Sequence, residues 1–240
     1  MTPHMTCATP PASPATKPMF QKIAVSALIA GFGAGLVAAL LQYVFVQPLL
    51  LHAELFEADP MFGLDQVTVA RGAFDVQREA LNVVFSALIY TGYAFVLLAA
   101  MVWAEERGQP ISTRSGMIWG IAGFVTMHLA PAFGLAPDMP GLNGADVAAR
   151  QIWWYGTAAC TGIALWLIAF GRNWAMWGTA IVLLAAPHLV GAPQPAMLTQ
   201  IAPPELAASF AARTLGVAMA VWTVLGLLLG AVWGSTLAED

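Results

Sequence analysis

Residues 23–46 read IAVSALIAGFGAGLVAALLQYVFV, a run without one charged side chain. A helix that crosses the hydrocarbon core of a bilayer needs about 20 mostly apolar residues. The stretch has no apolar/polar alternation of period two, so it does not read as the strand of a membrane barrel. In lipid no water is available to an open backbone, and a helix satisfies its own amides. Five further uncharged runs follow, at 81–103, 117–133, 152–170, 174–190 and 215–233. The expected fold is all-α: a polytopic transmembrane helix bundle of about six spans. The third and fifth runs are the shortest, and each carries a proline near its end, Pro131 and Pro187.

The composition agrees. The chain has 240 residues, 59% hydrophobic and 9% charged, with a mean hydropathy of +0.74. A soluble domain carries about 25% charged residues, so this chain lacks the charge to coat a surface in water. Most of the tryptophans lie close to a span end, as an interfacial belt requires. Net charge is −4 and the pI about 5.5, which argues against nucleic acid as a partner. Cys7 and Cys160 have no metal-site or redox spacing, and no disulfide between them is expected. The chain lacks a G-x-x-x-x-G-K-[ST] phosphate loop and a His-Glu-x-x-His motif, so neither ATP hydrolysis nor metalloprotease chemistry is expected of it, and it does not read as an enzyme.

Residues 1–18, MTPHMTCATPPASPATKP, are polar and proline-rich, and read as a disordered tail. Met19-Phe20-Gln21-Lys22 reads as a natural start, with the tail upstream of it. Residues 19–240 then form one transmembrane domain. The segment 59–80 reads as a loop or an interfacial helix. Gly31, Gly33 and Gly35 on the first span, and Gly226, Gly230 and Gly234 on the last, are small-residue faces that let helix backbones approach. With the N-terminus in the cytoplasm, the inner loops hold Lys17, Lys22, Arg107, Arg114 and Arg172, and the outer ones Arg71, Arg78, Arg150 and Arg213. That small excess places the N-terminus inside.

Three histidines follow or close odd-numbered spans: His52, His128 and His188. Odd spans all end on one side of the membrane, so the three imidazoles are expected to gather at one end of the bundle, at similar depth. The loops at that end also carry Glu54, Glu57, Asp59, Asp65, Asp75, Glu79, Asp138, Asp146 and Glu205. An acidic mouth of this kind concentrates cations. Imidazole nitrogen with carboxylate oxygen suits divalent transition metals. Glu54 and Glu57 are spaced to share a helix face. Each histidine also lies near a proline, Pro48, Pro131 or Pro187, and a proline frees a carbonyl in its helix. Broken helices of this kind build ion sites in transporters. The competing reading of each feature is plain: interfacial histidines hydrogen-bond locally, and acidic loops are solvated surface. The candidate metal ligands are His128, His188, Glu54, Glu57 and His52. Neutral imidazole binds metal and imidazolium does not, so uptake should fall below about pH 6.

At these residues the chain resembles the CbtA family of predicted cobalt transporter subunits. The resemblance runs from Met19-Phe20-Gln21-Lys22 through Ala30-Gly31-Phe32-Gly33-Ala34-Gly35, Gln42, Pro48-Leu49 and Ala53-Glu54-Leu55-Phe56-Glu57. It is most specific at residues 128–141, HLAPAFGLAPDMPG, and returns in Pro187-His188-Leu189-Val190-Gly191-Ala192-Pro193. It implies a multi-pass protein of the bacterial inner membrane that takes up cobalt(II), with no permanent cofactor. It also implies a small histidine-bearing CbtB-type membrane partner; a homo-oligomer is compatible with it. Glu54, Glu57, His128 and His188 carry the resemblance more firmly than His52. Two other functions stay open at this point. One is a scaffold subunit whose partner binds the metal. The other is a haem or metal enzyme of the membrane, for which histidines on facing helices deeper in the bundle would be needed.

Overall fold

The computed structural model describes residues 19–58, 75–139, 144–195 and 203–238, without the side chains of 55, 57, 58 and 236–238. The expected disorder of 1–18 and the open reading of 59–74 lie outside the described residues, as does Cys7. The described residues form helices only. In chain order they are α1 (Met19–Leu41), a π-helical turn (Gln42–Val46), α2 (Gln47–Ala58), α3 (Val76–Glu105) and α4 (Thr113–Phe124). A second π-helical turn (Val125–Leu129), α5 (Ala130–Ala132), α6 (Val147–Phe170), α7 (Trp174–Val190) and α8 (Pro204–Ala238) follow. The short pieces join end to end, so the described residues make six rods. Four are long and apolar enough to cross a membrane: Met19–Glu54, Val76–Glu105, Val147–Phe170 and Pro204–Ser235. The two remaining rods are the third, interrupted by its π turn, and α7, a shorter apolar helix.

Helix starts follow ordinary capping chemistry. The Asp75 carboxylate accepts from Gln77 N–H at 2.9 Å, and Asp146 and Asn173 accept from Ala149 and Met176 N–H at the same distance. Ser112 and Ser115 form a reciprocal capping box. These caps satisfy amides that the first helical turn leaves without partners. They extend α3 and α6 beyond the uncharged runs, because a capped polar turn outside the lipid continues the helix.

Both π turns stand directly before a proline. Gln47 N–H bonds the carbonyl of Gln42, five residues back, and Pro48 follows; Ala130 N–H bonds Val125 in the same way, and Pro131 follows. A proline cannot donate to the ladder and its ring crowds the carbonyl four residues earlier. One extra residue in the turn absorbs that fault. The helices therefore continue through Pro48 and Pro131 where the sequence suggested a break.

Close backbone approach holds the centre together. A Cβ on Gly31 would lie 2.5 Å from Thr91 Cα, and one on Gly35 would enter the backbone of Ala87, so α1 and α3 touch main chain to main chain. Gly116 and Gly120 of α4 meet Gly226 and Gly230 of α8 in the same manner. Gly234, expected on that face, has open space around it. The face of α1 at Ala27, Ala30, Ala34 and Ala38 is fully buried, as is the face of α8 at Val221, Leu225, Leu229 and Trp233. The α6–α7 hairpin is peripheral. It meets the other rods mainly at the second π turn and α5, and Ala180 is the buried residue of α7. Trp174, Ile181, Val182, Leu189 and Val190 point outward from it. Such an apolar exterior suits lipid and would aggregate in water.

Candidate metal centre

The first, third and fifth rods run in one direction, so His52, His128 and His188 lie toward one end of the bundle, termed here the histidine end. They are not level. Gly33 of α1 lies beside Leu228 of α8, and these rods run antiparallel, so Trp222, six residues back along α8, is level with Ala39. His128 packs on Trp222, with ring centroids 6.1 Å apart. Gly120 of the third rod meets the Trp222 carbonyl, so His128 stands eight residues beyond that level, whereas His52 stands thirteen residues beyond Ala39 along the first rod. Span parity counts ends and ignores rod length. The third rod is short, so its end stops inside the bundle.

His128 occupies the second π turn in a box of aromatic rings. Phe124 stacks on it at 6.2 Å, and Tyr93 and Trp222 stand edge-on at 6.3 and 6.1 Å. Its Nε2 is buried and has no hydrogen-bond partner, and the same holds for the neighbouring Trp222 Nε1. A buried polar atom without a partner costs free energy, so this imidazole nitrogen keeps an unused capacity for a hydrogen bond or a ligand. Tyr93 and Trp222 escaped the sequence reading. The available signal was Trp222 itself, a tryptophan in the middle of a span rather than at its end.

His188 lies in the last turn of α7, beside Trp153 at 6.1 Å and Phe133 at 6.0 Å. Trp153 Nε1–H donates to the Pro187 carbonyl at 3.1 Å and fixes the adjacent backbone. His188 lines an open groove of about 700 Å³ with Thr161, Gln194, Trp153 and Leu129. His128 faces α3 and α8, whereas His188 faces α5 and α6, so the third rod stands between them. His52 is half-buried on α2 against Phe56 at 5.4 Å, with its Nε2 buried and without a partner. Glu54 is exposed on α2. The Glu57 side chain lies outside the described residues. Among the described residues no three His, Cys, Asp or Glu side chains gather as a metal cluster.

Several carboxylates of the acidic end have structural work. Asp75 and Asp146 cap helices. Asp138 pairs with Arg150. Glu79 accepts from Gln47 Nε2 at 2.5 Å, tying α2 to α3. Glu54 and Glu205 remain exposed at that end. The histidine end thus offers an imidazole in an open groove, a second one in an aromatic box, and exposed carboxylates at the rim.

No curated protein and no solved structure matches the chain. A family pattern described as "Probable cobalt transporter subunit (CbtA)" matches residues 20–234. That span takes in His52, His128 and His188 and nearly the whole of the six rods, and with it this multi-pass membrane chain belongs to the CbtA family, described as probable cobalt transporter subunits.

Proposed function

We propose that the chain is the membrane-embedded subunit of a divalent-metal uptake system, with cobalt(II) as substrate. The observation that carries this reading is the pair of imidazoles near one end of the bundle: His188 lining an open groove, and His128 on the other face of the third rod with a buried, unpartnered Nε2. Glu54 and Glu57 at the rim, with His52, collect the cation. His188 and His128 supply imidazole ligands on the two faces of the third rod. Imidazole is a good ligand for cobalt and its neighbours. The reaction is transport rather than catalysis. A divalent ion gains about 4.6 kcal/mol per 100 mV on moving to a negative interior, at roughly 2.3 per charge, so the membrane potential can drive entry.

The family description names a subunit, which supports a second protein. A small histidine-bearing CbtB-type membrane protein fits that role, and self-association is compatible with it. The setting is the bacterial inner membrane, with the N-terminus cytoplasmic and the histidine end outward. Cobalt uptake into vesicles holding the chain and its partner tests the reading. Uptake should fall about tenfold or more in His128→Ala/His188→Ala, in line with the loss of metal-site residues. Undiminished uptake rejects these ligands.

A second reading has its own support. With no three-ligand cluster among the described residues, the chain would serve as a scaffold and the partner would bind the metal. Calorimetric titration of the isolated chain with cobalt separates the two. Heat of binding that disappears in the double variant supports the permease, and no heat supports the scaffold.

A further inference from the structure

A second concavity lies on the opposite side of the third rod, between α3, α4 and α6. It holds about 860 Å³ and its walls are mostly apolar, among them Val96, Ile118 and Leu165. Its α3 wall runs from Ile89 to Ala100, about 17 Å at 1.5 Å per residue. One leaflet contributes about half of a 30 Å hydrocarbon core. The groove is therefore one leaflet deep. It begins in the middle of the bundle, at Tyr93 and Trp222, and opens at the end away from the histidines, where Gln109 and Ser115 line its mouth.

That mouth carries aromatic rings and positive charge. Trp103 of α3 stacks on Trp166 of α6 at 4.2 Å and bridges the groove. The Arg107 guanidinium lies 3.9 Å over the Trp103 ring. Arg114 precedes the mouth residue Ser115, and Arg172 follows the wall residue Phe170 by two positions; both are exposed. Among the described residues no carboxylate pairs with any of the three arginines. Two acids share this end. Glu105 accepts from Trp233 Nε1–H at 3.0 Å, and Glu106 is exposed.

We propose that this groove is a binding site for an anionic phospholipid. One acyl chain fills the apolar channel, and the phosphate sits on Arg107, Arg114 and Arg172. Indole rings settle at headgroup level, and basic pockets between helices at a membrane edge select acidic headgroups. A partner helix fits worse. With side chains it is about 10–12 Å wide, and it would have to part the Trp103–Trp166 stack. The groove meets the metal reading only at its inner end, where Tyr93 and Trp222 also enclose His128; its arginine mouth shares no residue with the proposed ligands, so either reading can fail without the other.

The test is native mass spectrometry of the purified full chain after exchange into equimolar phosphatidylglycerol and phosphatidylcholine. Phosphatidylglycerol should be retained preferentially. Each arginine near the surface is worth about fivefold, so three give a preference on the order of a hundredfold. R107Q/R114Q/R172Q should abolish the preference, and because the three side chains are exposed the fold should survive. Ala169→Trp, which narrows the groove, should expel both lipids. Equal retention of the two lipids, or a preference unchanged in the triple variant, overturns the proposal. So does a co-purified membrane protein that crosslinks to Ala169→Cys in place of lipid.

Discussion

His128 and His188 make opposite demands on their surroundings, and the difference separates binding from packing. His188 borders an open groove, so His188→Ala should reduce cobalt uptake about tenfold and leave the unfolding temperature within a degree or so of the parent. His128 is enclosed by Tyr93, Phe124 and Trp222. His128→Ala should lower uptake and also lower thermal stability, because it opens a cavity among rings. His128→Phe should recover the stability and not the uptake, since it fills the box and supplies no nitrogen. Thermal unfolding in detergent and vesicle uptake, measured side by side, check all three. The histidines themselves were legible in the sequence, being few and each close to a proline. Their surroundings were not. Which ring meets which imidazole depends on helix register, and register is set by backbone contacts between residues distant in the chain.

Helices in lipid gain little from burying one apolar surface against another, and close packing takes over. The glycine faces of α1 and α8 could be read from spacing, but the α4 partners Gly116 and Gly120 stood out only once the rods were paired. A Cβ on Gly120 would enter the Trp222 carbonyl, so Gly120→Leu should part α4 from α8 and cost about 3 kcal/mol or more by overpacking. Gly178 has open space beside it, so Gly178→Ala should be stabilising by up to about 1 kcal/mol through helix propensity alone. Thermal or denaturant unfolding of the two variants gives the contrast. The prolines mislead at this scale. Period and composition suggest breaks at Pro48 and Pro131, whereas a single inserted residue in each π turn keeps the rod whole. The repair depends on tertiary support for the widened turn, which no local pattern reveals.

Across the whole molecule the bilayer determines what the sequence discloses. Hydrophobic runs pointed to an all-helical bundle because lipid demands long apolar helices with satisfied backbones, and four of the rods meet that demand in length. Span parity gave the common end of the histidines for the same reason. Depth stayed hidden, since capped extensions lengthen α3 and α6 while the third rod stops inside the bundle. Among the described residues the histidines do not form a single ring of ligands: His128 and His188 stand on different faces of the third rod. Cobalt K-edge absorption on the cobalt-loaded chain tests this arrangement most directly. The account predicts outer-shell scattering from imidazole that falls sharply in His128→Ala/His188→Ala, leaving at most the contribution of His52. A shell of oxygen ligands alone, identical in the parent and the double variant, would contradict it.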